Sequence, residues 1–443
     1  MTEQYQVMSN QIAESETGRV DIVPTTKERE RLRALAAEYS EIAGSDVMRE
    51  RKAGWKAVRD LAPIRPMILF ETLTVAGFVR PDEFECENEY LRNVEHSFVE
   101  SLKHYHLAGD DIVFENYFQL AWRTHKSDWG VRIVEHHADD SMAYMSNFPV
   151  KTPGDISKLK VRDFYADKDA TFELAETLDG IFGKTLPVKT GNRDPLSRER
   201  GYYAFNGLYS SNLTMDLFKL IGNDNLLFWT YDHPEALHEI MHYLTGDRKR
   251  QLKWMLDEEI LVPNTDGQFG GPFSYGYVSD LPEPGSKEKT VLKDCWIWAD
   301  SQETAMISPE MFRDLFLPYI AEIANQFGLT YYGCCEPIED RIEYVKKAIG
   351  NIRVFSVSAW NKDHEKLSQI IGRDHVYCYK PNPAFVSGKK PLWDYVEKEI
   401  AGVWKYIKNS NSEFVVRDLY DTCGDGERGR AWTQTAKRII GLL

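Results

Sequence analysis

The residues of this 443-residue chain whose types and spacing suit chemistry fall at the ends of short apolar runs. Asp300-Ser301-Gln302-Glu303 follows one run, and Cys334-Cys335-Glu336-Pro337 the next. Ser358-Ala359-Trp360-Asn361, Lys380-Pro381-Asn382-Pro383 and Asp421-Thr422-Cys423-Gly424 follow three more. Two adjacent thiols, a carboxylate beside them and a third thiol far along the chain are the donor types that bind zinc, and a catalytic zinc keeps three protein ligands and one open position. Cys334, Cys335, Glu336 and Cys423 are therefore the candidate ligands. Strand alternation puts Cys334 and Glu336 on one face with Cys335 turned away, whereas a strand that has already ended lets Cys335 bind instead. The sequence leaves that register open. The plainer alternative is that Cys334 and Cys335 are small buried apolar residues. Glu336, Asp300 and Glu303 are the candidate catalytic carboxylates, and Tyr332, Trp360, Lys380 and Asn382 the candidate substrate contacts.

These residues converge only if the runs before them are parallel strands. From about residue 291 the apolar runs 295–299, 329–333, 352–356, 376–379 and 414–419 alternate with helical patterns at 309–327, 338–349, 364–371, 391–408 and 430–441, which is the signature of βα units. Working residues in such folds sit past the carboxyl ends of the strands. The expected fold is α/β, a closed (β/α)8 TIM-type barrel over residues 61–443. Residues 1–60 are expected to be an N-terminal helical extension, since 27–60 read as two surface helices. Residues 67–71 (MILFE) form the first strand, 111–122 read as aromatic and strand-like, 163–178 as helical, and 234–259 as one long helix opened by Pro234. The topology of 81–190 is not legible.

Composition excludes several classes. The formal net charge of −15 disfavours nucleic acid, and no apolar run approaches the roughly 20 residues of a membrane helix. The start carries no basic-then-apolar export pattern, so a cytoplasmic location and free thiols are expected. A homodimer is one assembly the sequence leaves open. His238-Glu239-Ile240-Met241-His242 spells the His-Glu-x-x-His pattern of zinc proteases, with Glu258 or Glu259 as a third ligand, but the βα run is the wrong context for it. His136-His137 with Asp139-Asp140 is a weaker metal candidate, and His104 and His106 read as helix-end packing. Neither glycine-rich stretch, 267–271 or 424–429, has the context of a nucleotide loop.

From about residue 200 onward the chain resembles the uroporphyrinogen decarboxylase superfamily. The resemblance rests on residues 232–239 (DHPEALHE), Ser301-Gln302-Glu303, residues 308–312 (SPEMF), residues 316–320 (FLPYI) and Asp421-Thr422-Cys423-Gly424. It implies a (β/α)8 barrel with the His238 helix on its exterior. The arginine-rich amino-terminal signature of the decarboxylases has no equivalent around residues 65–68. The corrinoid-dependent methyltransferase branch carries zinc on a His-x-Cys motif and a later cysteine; here the corresponding stretch reads Gly333-Cys334-Cys335-Glu336, without the histidine, and the later cysteine is Cys423. The resemblance implies a zinc-dependent methyltransferase of the O-demethylase kind, acting on methoxylated aromatics or other small methylated substrates. Its methyl acceptor would be a cobamide on a separate corrinoid protein. A cofactor-free decarboxylase is the alternative, and a zinc protease the remote one.

Overall fold

The computed structural model describes residues 22–137, 144–191, 210–282 and 289–443. Its centre is a six-stranded parallel sheet in the order β1-β14-β13-β12-β11-β10. The strands are β1 (Met67–Phe70), β10 (Trp296–Ala299), β11 (Leu329–Tyr332), β12 (Ile352–Ser358), β13 (Val376–Lys380) and β14 (Asn411–Val416). Almost every residue in them is buried, as expected where a parallel sheet is covered on both faces. The α/β class with a parallel sheet is therefore observed. A closed barrel is not formed by the described strands, because β1 and β10 end the sheet.

Two features continue that sheet at its ends. On the β1 side the Asp111 N–H donates to the Ile68 carbonyl at 2.9 Å. Farther along the same segment, β2 (Phe118–Ala121) runs parallel to β7 (Val188–Gly191). On the β10 side Ser210 makes an isolated parallel bridge to Trp298. Short antiparallel pairs, β3 (Thr124–Lys126) with β6 (Phe164–Ala166), β4 (Glu135–His137) with β5 (Tyr144–Ser146) and β8 (Phe269–Gly271) with β9 (Ser274–Tyr275), complete the strands.

Alternation divides the sheet between two cores. Ile68, Phe70, Ile297, Ala299, Phe355, Val357 and Val416 pack with the helices of the second half. These are α5 (Leu213–Asp232), α6 (Pro234–Asp257), α7 (Pro309–Leu315), α8 (Leu317–Ala324), α9 (Ile342–Ala348), α10 (His364–Ile371), α11 (Trp393–Ile407) and α12 (Arg428–Ile439). The other face, Met67, Leu69, Trp296, Trp298, Tyr331, Val354, Cys378 and Val415, packs with the β8–β9 hairpin and the first-half helices. Those are α1 (Thr26–Ala43), α2 (Asp46–Arg59), α3 (Glu89–Ala108) and α4 (Lys168–Phe182). The hairpin lies so close that a Cβ at Gly271 would sit 2.2 Å from Tyr331 Cγ.

The two N-terminal helices form where expected, and each is capped: Thr25 and Glu28 close a capping box on α1, and Ser45 caps α2. They are bound into the sheet. Arg59 of α2, 1% exposed, places Nη2 2.6 Å from the fully buried Glu413 of β14, and Trp55 donates to the Asp111 carbonyl at 2.8 Å.

Several expected boundaries move. The helix expected over 309–327 is two helices, since Pro318 has no N–H and its ring crowds the preceding turn, so Phe316 leaves helical geometry. The final strand runs 411–416 rather than 414–419, because Asp418 adopts a left-handed φ of 60°. Of 111–122 only Phe118–Ala121 is strand, and of 163–178 the helix begins at Lys168. His136 lies in β4, whereas Asp139 and Asp140 fall outside the described residues. No described helix is long and apolar enough to cross a membrane.

Candidate active site at the strand ends

All six strands of the sheet are parallel, so their carboxyl ends share one edge. Continuing the alternation of the α1–α4 side past the last apolar residue of each strand places Glu71 after β1, Arg417 after β14, Lys380 in β13, Ser358 in β12 and Asp300 after β10 on one inner face. All are buried. Glu71 Oε2 accepts the Asp418 N–H at 2.8 Å and stands 3.7 Å from Arg417 Nε. Its other oxygen, Oε1, is buried with no hydrogen-bond partner. Burial raises the Glu71 carboxyl, with the neighbouring Arg417 opposing.

The register left open by the sequence is decided at Gly333. Its φ of +98° ends the alternation of β11, and a Cβ there would meet the Ser356 carbonyl at 3.0 Å. After this turn the two thiols face each other, Sγ to Sγ 3.6 Å. Cys335 Sγ also lies 3.4 Å from Asp418 Oδ2. Cys334 is buried and Cys335 half-buried. The hydrogen bond to Cys335, and burial, raise the Cys334 thiol well above its ordinary value.

Asp300 is 9% exposed. Burial, with Glu303, Glu336 and Cys335 around it, raises its carboxyl well above the ordinary range. Burial raises Glu303 and Glu336 as well. Glu336 acts as a staple: Oε2 accepts the Cys334 N–H at 2.8 Å and Oε1 the Ser301 N–H at 3.1 Å, which fixes the β10 and β11 loops together. Glu303 accepts from Thr214 Oγ1 at 2.7 Å.

The other expected contacts are distributed differently. Lys380 Nζ donates to the Pro272 carbonyl at 2.6 Å, inside the sheet's inner face. Tyr332 belongs to the helix-side core and reaches Ser301 Oγ at 3.1 Å, so it faces away from that inner layer. Trp360 is 55% exposed. Asn382 caps a short turn through the Ala384 N–H and is not turned into the cluster. Cys423 is exposed, in a left-handed turn, with Sγ 3.6 Å from its neighbour Asp421. The side chain from the segment after β14 that reaches Cys335 is Asp418. His238 and His242 are exposed on α6, and His238 Nδ1 lies 2.9 Å from Tyr319 OH.

Sequence reasoning missed Glu71, Arg417 and Asp418. All were in view, Glu71 closing MILFE and the other two inside FVVRDL, and the signal was the switch from apolar to charged residues, which marks a strand's end. Among the described residues no group of three or more His, Cys, Asp or Glu side chains is already gathered to hold a metal ion. Two contacts nevertheless match the edges of a tetrahedral zinc site. Bonds of about 2.3 Å to sulfur and about 2.0 Å to oxygen put two sulfurs about 3.8 Å apart and a sulfur and an oxygen about 3.5 Å apart. The Cys334–Cys335 and Cys335–Asp418 separations are 3.6 and 3.4 Å.

No family model matches the chain, and no curated protein matches it. Among solved structures it is similar to a methyltransferase from Methanosarcina mazei, at 11% identity and a TM-score of 0.47, over 88% of this chain and 98% of that one. A likeness of that extent decides neither the fold nor the chemistry.

Proposed function

We propose that the chain is a zinc-dependent methyltransferase that moves a methyl group from a small methylated substrate, of which a methoxylated aromatic is the first choice, to the cobalt of a corrinoid carried by a partner protein. The observation that supports the reading is the Cys334–Cys335–Asp418 chain at the strand ends, two of whose separations match donor spacings in a zinc site. The resemblance of the second half to the methyltransferase branch agrees with it. A closed (β/α)8 barrel belongs to the same proposal, supported by the Asp111–Ile68 hydrogen bond on one end of the sheet and the parallel Ser210–Trp298 bridge on the other.

In this reading Cys334, Cys335 and Asp418 hold the metal, with Asp418 in the role first expected of Cys423 and Glu336 orienting the loop. Bound zinc would supply Lewis acidity toward the leaving oxygen or nitrogen of the methyl donor. The chain's own groups do the rest. Gly333 and the Glu336 staple present both thiols on one side. Arg417 and Lys380 offset the negative charge gathered there by Glu71 and Asp418. Burial and its carboxylate neighbours raise the Asp300 carboxyl, and a carboxylic acid at the strand ends is the type of group that could hydrogen-bond or protonate a departing anion.

Two measurements test this. Metal analysis should find about one zinc per chain, lost in Cys335→Ser and kept in Cys423→Ser and His238→Ala. Incubation with reduced free cobamide and a panel of methoxylated aromatics, methylamines and methanol should methylate the cobamide with at least one donor. Zinc that survives Cys335→Ser but not His238→Ala would transfer the metal to α6 and overturn the reading, as would a panel without any methylation.

A further inference from the structure

The thiols of this chain are not alike. Cys86, Cys295 and Cys378 are buried, and Cys423 is exposed. Among the described residues the one pair of thiols in contact is Cys334 and Cys335, Sγ to Sγ 3.6 Å. Neighbouring side chains in a strand point to opposite faces, and it is the turn at Gly333, φ +98°, that brings these two together after β11. Their backbone is held on both sides. The Cys334 N–H donates to Glu336 Oε2 at 2.8 Å, and the Cys334 carbonyl accepts from Ser356 Oγ at 2.9 Å. A disulfide bond of about 2.0 Å asks the sulfurs to approach by roughly 1.5 Å.

The two sulfurs differ in access. Cys335 is half-buried, whereas Cys334 is 8% exposed and lies behind it. Cys335 Sγ donates toward Asp418 Oδ2 at 3.4 Å, and the contact of Cys334 Sγ is Cys335 itself. An accessible thiol with a second thiol poised beside it is the arrangement of redox-responsive cysteines. We propose that Cys334 and Cys335 are a modification site, at which a peroxide oxidises Cys335 and Cys334 resolves the product, closing a disulfide between neighbouring residues that a dithiol reopens.

The chemistry balances with hydrogen peroxide as the oxidant. The Cys335 sulfur attacks one peroxide oxygen, the O–O bond breaks, and the Cys335 proton leaves with the other oxygen as water. The Cys334 sulfur then displaces the hydroxyl of the sulfenic acid, the S–S bond forms, and the Cys334 proton leaves with that hydroxyl as a second water. Both sulfurs are oxidised and both peroxide oxygens reduced. Consecutive Cα atoms stand about 3.8 Å apart, below the roughly 4.4–6.8 Å that disulfides usually span. The closed pair is therefore strained, and strained disulfides are the readily reduced, regulatory ones. Closure removes both sulfur donors from the strand-end site at once. That consequence for a metal rests on the methyl-transfer reading; the disulfide itself does not.

The test treats the full chain, freed of metal by a chelator, with stoichiometric hydrogen peroxide, alkylates it with iodoacetamide under denaturing conditions and maps the peptides by mass spectrometry. The wild-type peptide that holds Cys334 and Cys335 should lose the mass of two hydrogens, with neither sulfur alkylated, and dithiothreitol should restore both thiols. With dimedone present to trap sulfenic acids, Cys334→Ser should carry the adduct on Cys335, and Cys335→Ser should keep Cys334 as a free thiol. The proposal fails if both wild-type sulfurs stay alkylatable, if Cys335 ends as a sulfenic or sulfinic acid beside an alkylated Cys334, if either sulfur pairs with Cys423, if dithiothreitol does not reopen the bond, or if Cys335→Ser places dimedone on Cys334. Zinc chloride added before the peroxide should block closure. Closure undiminished by zinc would count against the metal reading and leave the disulfide standing, so the two failures are distinguishable.

Discussion

Glu336→Gln separates two roles for a carboxylate that the sequence offered both as a ligand and as a catalyst. In the structure each oxygen accepts one backbone N–H, from Cys334 at 2.8 Å and Ser301 at 3.1 Å. A glutamine retains one acceptor and turns an amide N–H toward the other donor. One hydrogen bond to a charged group, worth roughly 1.5–3 kcal/mol, is lost, and the second falls to a neutral bond of about 1 kcal/mol. Removing a buried carboxylate that is costly to desolvate offsets part of this. The expected net loss is roughly 2–3 kcal/mol, read as a lower urea midpoint at pH 7, with zinc still bound to the purified variant. Unchanged stability together with lost zinc would make Glu336 a ligand rather than a staple, and would refute the reasoning.

Three further outcomes follow from named contacts. Arg59→Met and Glu413→Gln should each cost about 3–5 kcal/mol, and the double variant well under their sum, because each single change strands a buried charge; additive losses in urea unfolding would detach α2 from the sheet. Although burial opposes it, the Arg59 guanidinium holds the Glu413 carboxyl below its ordinary value. The coupling should therefore be complete above the unfolded carboxyl's range and fade as pH falls through the lower folded value. Iodoacetamide at pH 7.5 should modify exposed Cys423 first, while Cys86 and Cys378, buried and pushed up to about 12, react about a thousandfold more slowly than an ordinary thiol; peptide mapping reads the order. Gly333→Ala strains a left-handed turn against the Ser356 carbonyl and should separate the thiols, so that phenylarsine oxide, which needs two sulfurs together, binds the wild type far more tightly.

The second half was legible because parallel strands buried on both faces read as plain apolar runs. β10, β11, β12 and β13 lie within a few residues of where those runs place them, and α6 spans Pro234–Asp257 as its periodicity requires. The first half was not. Eight of the twelve residues 111–122 are apolar or aromatic, yet strand occupies only Phe118–Ala121; the remainder satisfies its backbone in other ways, such as the Val113 N–H, which donates to Tyr275 OH at 3.0 Å. Such partners lie more than a hundred residues away, beyond any local pattern. The same holds for the carboxylates: nothing near Glu336 announces that both its oxygens serve backbone N–H groups on two loops.

The position of Cys423 has a local cause with wider meaning. Reading 414–419 as strand carried Arg417 and Asp418 into the sheet and left Cys423 as the first ligand-type sulfur beyond it. The strand in fact stops at Val416, and the left-handed residues that follow, Asp418, Tyr420 and Cys423, turn the chain sharply within a few positions. Asp418 is thereby delivered to Cys335, and Cys423 is carried outward to solvent. Gly333 does the same on the facing loop. In both places the site is set by where strand geometry stops, since alternation alone would send adjacent side chains to opposite faces. A donor cluster made of neighbours such as Cys334 and Cys335 therefore requires a turn between strand and site, and the residue to inspect first is the one with positive φ rather than the donors themselves.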